Sequence, residues 1–128
     1  MIQAIVADGV LLDRKQLRGM LEKIGLDVLS ESRNGVQAYN EYRIYKPNII
    51  FLALDMPMMD GISSMRRIKE TYADAKVILV GDETRRRQIF DGLELGADEY
   101  IFKPYNLVQI EKVIHKTFNE NSHLMSKM

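Results

Sequence analysis

Apolar and polar positions fall into alternating blocks along the chain. Ile2 to Ala7 is a short apolar run that ends at Asp8-Gly9. Leu11, Leu12, Leu17, Met20, Leu21 and Ile24 then recur at roughly helical spacing, with Arg14, Lys15, Arg18 and Lys23 between them. That spacing predicts a helix stopped by Gly25. Asp27 to Ser32 reads as a weak strand, Asn34-Gly35 as a turn, and Val36 to Tyr45 as a helix ended by Lys46-Pro47. The run Asn48 to Leu54, bounded by Pro47 and by Asp55-Met56-Pro57, predicts the most buried strand. Ile62, Met65, Ile68 and Tyr72 form one helical stripe. Val77 to Val80 predicts a strand closed by Gly81, and Arg85 to Leu95 a helix ended by Gly96. Tyr100 to Phe102 predicts a strand before Lys103-Pro104, and Leu107 to Phe118 the last helix.

Strand and helix therefore alternate five times. Strands joined by helices imply a parallel sheet, and continuous apolar strands imply helices on both of its faces. In such sheets ligands sit beyond the carboxyl ends of the strands. The candidate loops are then Asp8-Gly9, Ala53 to Pro57, Gly81-Asp82 and Lys103-Pro104.

Composition narrows the classes of function. The 128 residues suit one domain, expected over residues 1–119, with residues 120–128 as a polar tail that frays. Lys and Arg number 18, as do Asp and Glu, so the net charge is zero and no global field favours nucleic acid or a membrane surface. The absence of cysteine excludes disulfides and zinc–thiolate sites. The longest apolar run, Ile49 to Leu54, is far too short to span a bilayer, and the N-terminus lacks the pattern of a signal peptide. A soluble cytoplasmic protein is the expectation. His115 and His123 have no acidic cluster beside them, and neither phosphate-binding glycine fingerprint is present.

Asp8, the segment Met56 to Gly61, Leu95 to Asp98 and Lys103-Pro104 together resemble the receiver domain of bacterial response regulators, from about Ile2 to Phe118. The resemblance implies a flavodoxin-like (CheY-like) α/β fold: three layers, five parallel strands in the order 2-1-3-4-5, and five helices. It also implies phosphoryl transfer from a histidine kinase onto an aspartate at the end of strand three. Two acidic residues after strand one help to hold magnesium, a hydroxyl residue ends strand four, and a lysine ends strand five. The metal and the lysine offset charge on the transferring group.

The chain departs from that pattern. Asp8 and Lys103 match, but Gly9 stands for the second acidic residue, Ala53 for the acceptor and Gly81 for the hydroxyl. Alanine offers no nucleophilic oxygen, and Asp8 against Lys103 leaves no excess negative charge to recruit a divalent cation. The expectation is a degenerate pseudo-receiver: a non-enzymatic module that binds partners of a two-component or chemotaxis-like pathway without phosphorylation, with magnesium weak or absent. Few residues follow the last helix, so its output is expected through protein contact. Two alternatives stand beside it. Asp55 is a substitute acceptor, or Ala53 replaces the aspartate of an ordinary receiver.

Other residues carry lesser expectations. Asp8, Asp55 and Asp82 are weak candidates for a cation site, although Asp82 also suits a helix cap near Thr84, and Asp60 a cap for the third helix. Asp8 and Lys103 suit an ion pair, and Lys103-Pro104 a cis peptide. Arg85, Arg86, Tyr100 and Tyr105 fall on the face of helix four, strand five and helix five, the usual signalling surface of the resembled family. That face also suits pairing of two copies. Arg85 to Arg87 spread over about 300° at ~100° per residue, so they make no flat patch. Met56, Met58 and Met59 crowd one loop, as core filling or as adaptable contacts.

Overall fold

The computed structural model describes residues 1–119; the expected tail, residues 120–128 with His123, lies outside the described residues. The strands are β1 (Gln3–Ala7), β2 (Asp27–Ser32), β3 (Ile49–Ala53), β4 (Val77–Asp82) and β5 (Glu99–Lys103). The helices are α1 (Leu11–Lys23), α2 (Gly35–Tyr45), α3 (Gly61–Thr71), α4 (Arg86–Glu94) and α5 (Leu107–Phe118), with a short 3-10 turn over Glu83–Arg85. All strand pairs are parallel, in the order β2-β1-β3-β4-β5.

The continuous apolar strands explain this layering. Alternate residues of a strand face opposite sides of the sheet, so a strand with apolar residues throughout needs cover on both sides. Ile5 and Ala7 of β1 pack with Ala38, Tyr42, Met65, Ile68 and Ile89 of α2, α3 and α4. Ala4 and Val6 pack instead with Leu17 and Leu21 of α1 and with Ile110, Val113 and Ile114 of α5. Central β3 is buried along its whole length. Each fully buried Ile, Leu or Phe there contributes about 1.5–3 kcal/mol.

Several boundaries shift by a residue or two from expectation, Gly35 among them, which opens α2 instead of lying in a turn; two shifts are instructive. Gly81 does not close β4: the strand runs on to Asp82, with Gly81 opposite Phe102 and Asp82 opposite Lys103 of β5. A neighbouring strand that continues supplies partners which override a glycine's weak strand preference. The fourth helix starts at Arg86 rather than Arg85, because the 3-10 turn takes up the preceding residues. Gly25 and Gly96, at φ 98° and 127°, end α1 and α4 in a conformation that side chains resist.

This connectivity brings the loops after β1, β3, β4 and β5 to one edge of the sheet. The order reverses between β1 and β3, which makes that edge the place for a site.

Candidate functional site

Asp8 leaves β1 with only 2% of its surface exposed. One carboxylate oxygen accepts the Val10 N–H at 2.9 Å, and the other accepts the Lys103 ammonium at 2.8 Å. Lys103 donates equally to Asp13 of α1, at 2.7 Å. The expected ion pair is therefore a triad, and its charge is −1 rather than zero (two carboxylates, one ammonium). Burial pushes the Lys103 ammonium down, but the hydrogen bonds to Asp13 and Asp8 outweigh it and leave its pKa raised. The Lys103–Pro104 peptide is cis.

A second ion cluster backs the triad. Arg14, itself buried, donates to the Asp8 carbonyl at 2.9 Å and to Glu31 of β2 at 2.8 Å. Lys15 and Arg18 donate to the other Glu31 oxygen, each at 2.8 Å. Burial pushes the Glu31 carboxyl up, yet hydrogen bonds from Lys15, Arg18 and Arg14 hold it at about 2. Asp13 and Arg14 were readable as inward-facing. Asp13 precedes buried Leu17 and Leu21 at four-residue steps on one helical stripe, and Arg14 lies beside it.

The β3–β4 side of the edge is hydrocarbon. Ala53 is 3% exposed, and α3 starts so close that a Cβ on Gly61 would come within 2.2 Å of the Ala53 carbonyl. A Cβ on Gly81 would meet Leu54 Cδ1 at 3.1 Å and Ile89 Cδ1 at 3.3 Å. The space beside Gly81 is thus crowded by the buried side chains of Leu54, just after β3, and Ile89 of α4. A Cβ on Gly9 would meet Pro57 Cδ at 3.0 Å, under the loop after β3.

The three candidate cation ligands serve different partners. Asp8 holds Lys103, while Asp55 pairs with Arg85 at 2.9 Å. Asp82 accepts the Thr84 N–H at 3.0 Å and caps the 3-10 turn, as its spacing predicts. Among the described residues no group of three His, Cys, Asp or Glu side chains is arranged to hold a metal ion. Asp60 caps α3, accepting the Ser63 N–H at 2.7 Å.

The expected signalling surface is corrected at two residues. Tyr105 is buried in the α1–α5 core, in one cluster with Leu17, Leu21 and Ile110, because its apolar ring gains more from that core than from water. Its hydroxyl has no hydrogen-bond partner among the described residues; burial, then the Asp8 and Asp13 charges, raise its pKa. Arg85 does not project from that face but reaches back to Asp55 in the loop after β3. Tyr100 remains half-buried there, edge-on to Phe90 (centroids 5.6 Å apart) and to Phe102 (5.2 Å). Arg86 lies over the Phe102 ring at 5.3 Å and pairs with Glu83 at 2.5 Å.

A five-stranded 2-1-3-4-5 sheet with an acidic residue after β1 and a lysine at the end of β5 defines a receiver-type fold. Residues 4–115 match the response regulator receiver domain, and the chain belongs to that family. It is similar to the chemotaxis protein CheY of Bacillus subtilis, 30% identical over 115 residues, covering 90% of this chain and 96% of the relative. A protein-glutamate methylesterase/protein-glutamine glutaminase of the same organism is 32% identical over 114 residues, but the match covers only 32% of that longer chain. The fold recurs in CheY of the CheX–CheY–BeF3–Mg complex from Borrelia burgdorferi, with TM-score 0.86 and 24% identity, over 91% of this chain and 89% of that one. It recurs again in a receiver domain protein from Clostridium thermocellum, with TM-score 0.87 and 19% identity, over 97% and 99%. A role in two-component signalling through protein contact follows from this membership. No described helix is long and apolar enough to cross a membrane.

Proposed function

We infer that the chain is a pseudo-receiver: a non-enzymatic, cytoplasmic signalling module that binds its protein partners without being phosphorylated. The observation that carries this reading is the packing around the acceptor position. Ala53 has no nucleophilic oxygen, and Leu54 and Ile89 stand close against the backbone of Gly81, where a hydroxyl side chain is expected. Lys103, the cation that would meet a phosphoryl group, is held by two carboxylates. Magnesium prefers several hard oxygen ligands. Here Asp8 alone remains at the matching positions, and both of its oxygens are engaged.

The reading of an ordinary receiver with one replaced residue is disfavoured, because a change at position 53 alone does not account for Gly9 and Gly81, which also lack the expected functional groups. Asp55 is a poor substitute acceptor. Its side chain is 68% exposed and faces Arg85, whereas Lys103 lies with Asp8 and Asp13. Near-attack geometry tolerates little displacement.

The test is intact mass after incubation with a small-molecule phosphodonor and magnesium, with an ordinary receiver labelled alongside. No adduct on this chain is the expected result. One added phosphoryl group overturns the reading, and its survival in Asp55→Asn would place it elsewhere than Asp55.

A further inference from the structure

The groove between α2 and α3 lies on the sheet face opposite α1 and α5. Tyr39 of α2 stands in it, half-buried against the core cluster that holds Ala38, Met65 and Ile68. Two guanidiniums share its ring: Arg67 of α3 lies 5.0 Å from the ring centroid and Arg43 of α2 5.6 Å. Such stacking holds a cation in place without neutralising it. Arg14, Arg18, Arg85 and Arg86 each have a carboxylate partner, whereas Arg43 and Arg67 have none among the described residues. Thr71, then Arg67, acting on the Tyr39 hydroxyl, hold its pKa below the ordinary value, and the Arg43 and Arg67 charges act in the same direction.

The whole chain has no net charge, but this face does. Arg43, Lys46, Arg66 and Arg67 are exposed along α2, its cap and α3, against Glu70 and Asp74, which leaves +2 (four cations, two carboxylates). Arg33 and Asp60, at the other end of the two helices, cancel and leave that balance as it is. Of the half-buried charges on these helices, Lys69 is committed to Asp98 and Glu41 to the Ser32 hydroxyl. Arg66 and Glu70 are four residues apart on α3 and offset one another. Arg43 and Arg67 are left as an uncompensated pair over one ring, and a single anion beside Tyr39 would offset both. Next to Arg43, Ile44 is 73% exposed.

We propose that the α2–α3 groove docks an acidic segment of a partner protein, one carrying an aspartate or glutamate beside an apolar side chain. The carboxylate meets Arg43 and Arg67 at the Tyr39 ring, and the apolar side chain covers Ile44. A guanidinium already stacked on a ring loses less freedom on pairing with a carboxylate than a free one does, so the groove is set up for this contact. The proposal rests on the reading of the chain as a binding module. It places the contact away from the strand edge that carries the candidate site and away from the α4–β5–α5 face. The chain has a segment of this chemistry itself at the end of α4, where Asp91 and Glu94 accompany Phe90 and Leu95, 40% and 50% exposed. Docking between copies through that segment would be head-to-tail and open-ended, each copy leaving the same surfaces free for another. A separate partner closes the contact after one step.

The probe is a short amphipathic helical peptide of leucine and glutamate, with a leucine–lysine counterpart and a single-stranded DNA oligomer as controls. Backbone amide shifts of the labelled full chain are followed during titration. The expected result is saturable binding of the glutamate peptide, shifts centred on residues 39–46 and 63–71, and weakening as salt is raised. Arg43→Gln with Arg67→Gln should weaken binding about tenfold, and Ile44→Ser about threefold. Lys23→Gln with Lys112→Gln removes the same charge from the opposite sheet face, on α1 and α5, and should leave binding unchanged. Unchanged spectra away from α2 and α3 confirm that the arginine variant is folded. Equal binding of the lysine peptide, tighter binding of the DNA, equal weakening by the lysine variant, shifts centred elsewhere, no binding, or self-association lost in Asp91→Asn with Glu94→Gln each overturn the proposal. A phosphoryl adduct in the mass experiment would sink the pseudo-receiver reading alone, so the two failures are distinguishable.

Discussion

The two halves of the strand edge have parted company. On the β1–β5 side, Asp8, Asp13 and Lys103 form a buried-to-half-buried ion triad braced by Arg14 and Glu31. On the β3–β4 side, Ala53, Gly81, Leu54 and Ile89 form hydrocarbon. The difference separates charged groups that tie distant elements together from positions packed in hydrocarbon. Lys103 ties β5 to the end of β1 and to α1, three elements distant in sequence. Removing either partner strands a buried charge, which costs more than the pair itself contributes.

Lys103→Met tests that comparison with the largest expected effect. It leaves Asp8 and Asp13 facing each other without their cation. A loss of about 3 kcal/mol is expected, reduced from the fully buried case because Lys103 is 20% exposed. Denaturant unfolding at neutral pH measures it. Combining the change with Asp8→Asn should cost clearly less than the sum of the two. Additive losses, or a loss under about 0.5 kcal/mol, would mean that the triad does not hold the two strands together.

Glu31→Gln probes the bracing cluster through pH. The Glu31 carboxyl sits at about 2 in the folded chain against an ordinary value of 4.5. A depressed folded value stabilises above the ordinary one, and the stabilisation is lost as pH falls through the window from 4.5 to about 2. The variant is expected to be about 2 kcal/mol less stable than the parent near pH 7. The gap should close as the pH is lowered through that window. A gap that stays constant would assign the loss to packing rather than to the ion cluster.

The sequence carried the fold more fully than the site. β2 and α5 have the bounds that their patterns predict, because alternation and helical stripes directly record which faces are buried. Asp60 and Asp82 cap as their spacing predicts, since capping is a local interaction. What stayed hidden depends on contacts between distant segments. Asp13 meets Lys103 across 90 positions. Gly81 looks like a strand terminator until β5 is seen to continue beside it. Tyr105 looks like a surface aromatic until it is seen buried with residues of α1 and α5. The triplet Arg85 to Arg87 splits because only Arg85 has a carboxylate across the loop, Asp55.

Gly81→Thr is the smallest effect and the sharpest test of the hydrocarbon half. Two opposing contributions decide its sign. Replacing a strand glycine with a β-branched residue restricts the unfolded chain and suits the strand, a gain of about 0.5–1 kcal/mol. Against this, the Cβ alone comes within 3.1 Å of Leu54 and 3.3 Å of Ile89, and threonine brings two further heavy atoms. Overpacking of this kind costs about 1–3 kcal/mol, so a net loss of about 1–2 kcal/mol is expected in urea unfolding. Leu54→Ala alone should cost about 2–3 kcal/mol by leaving a cavity. The two together should lose less than their sum, because the threonine occupies the space that the leucine vacates. Strict additivity would show that Leu54 is not what excludes a side chain at position 81. A Gly81→Thr protein as stable as the parent would show that the pocket yields freely, and the β3–β4 half would then be an open site rather than a filled one.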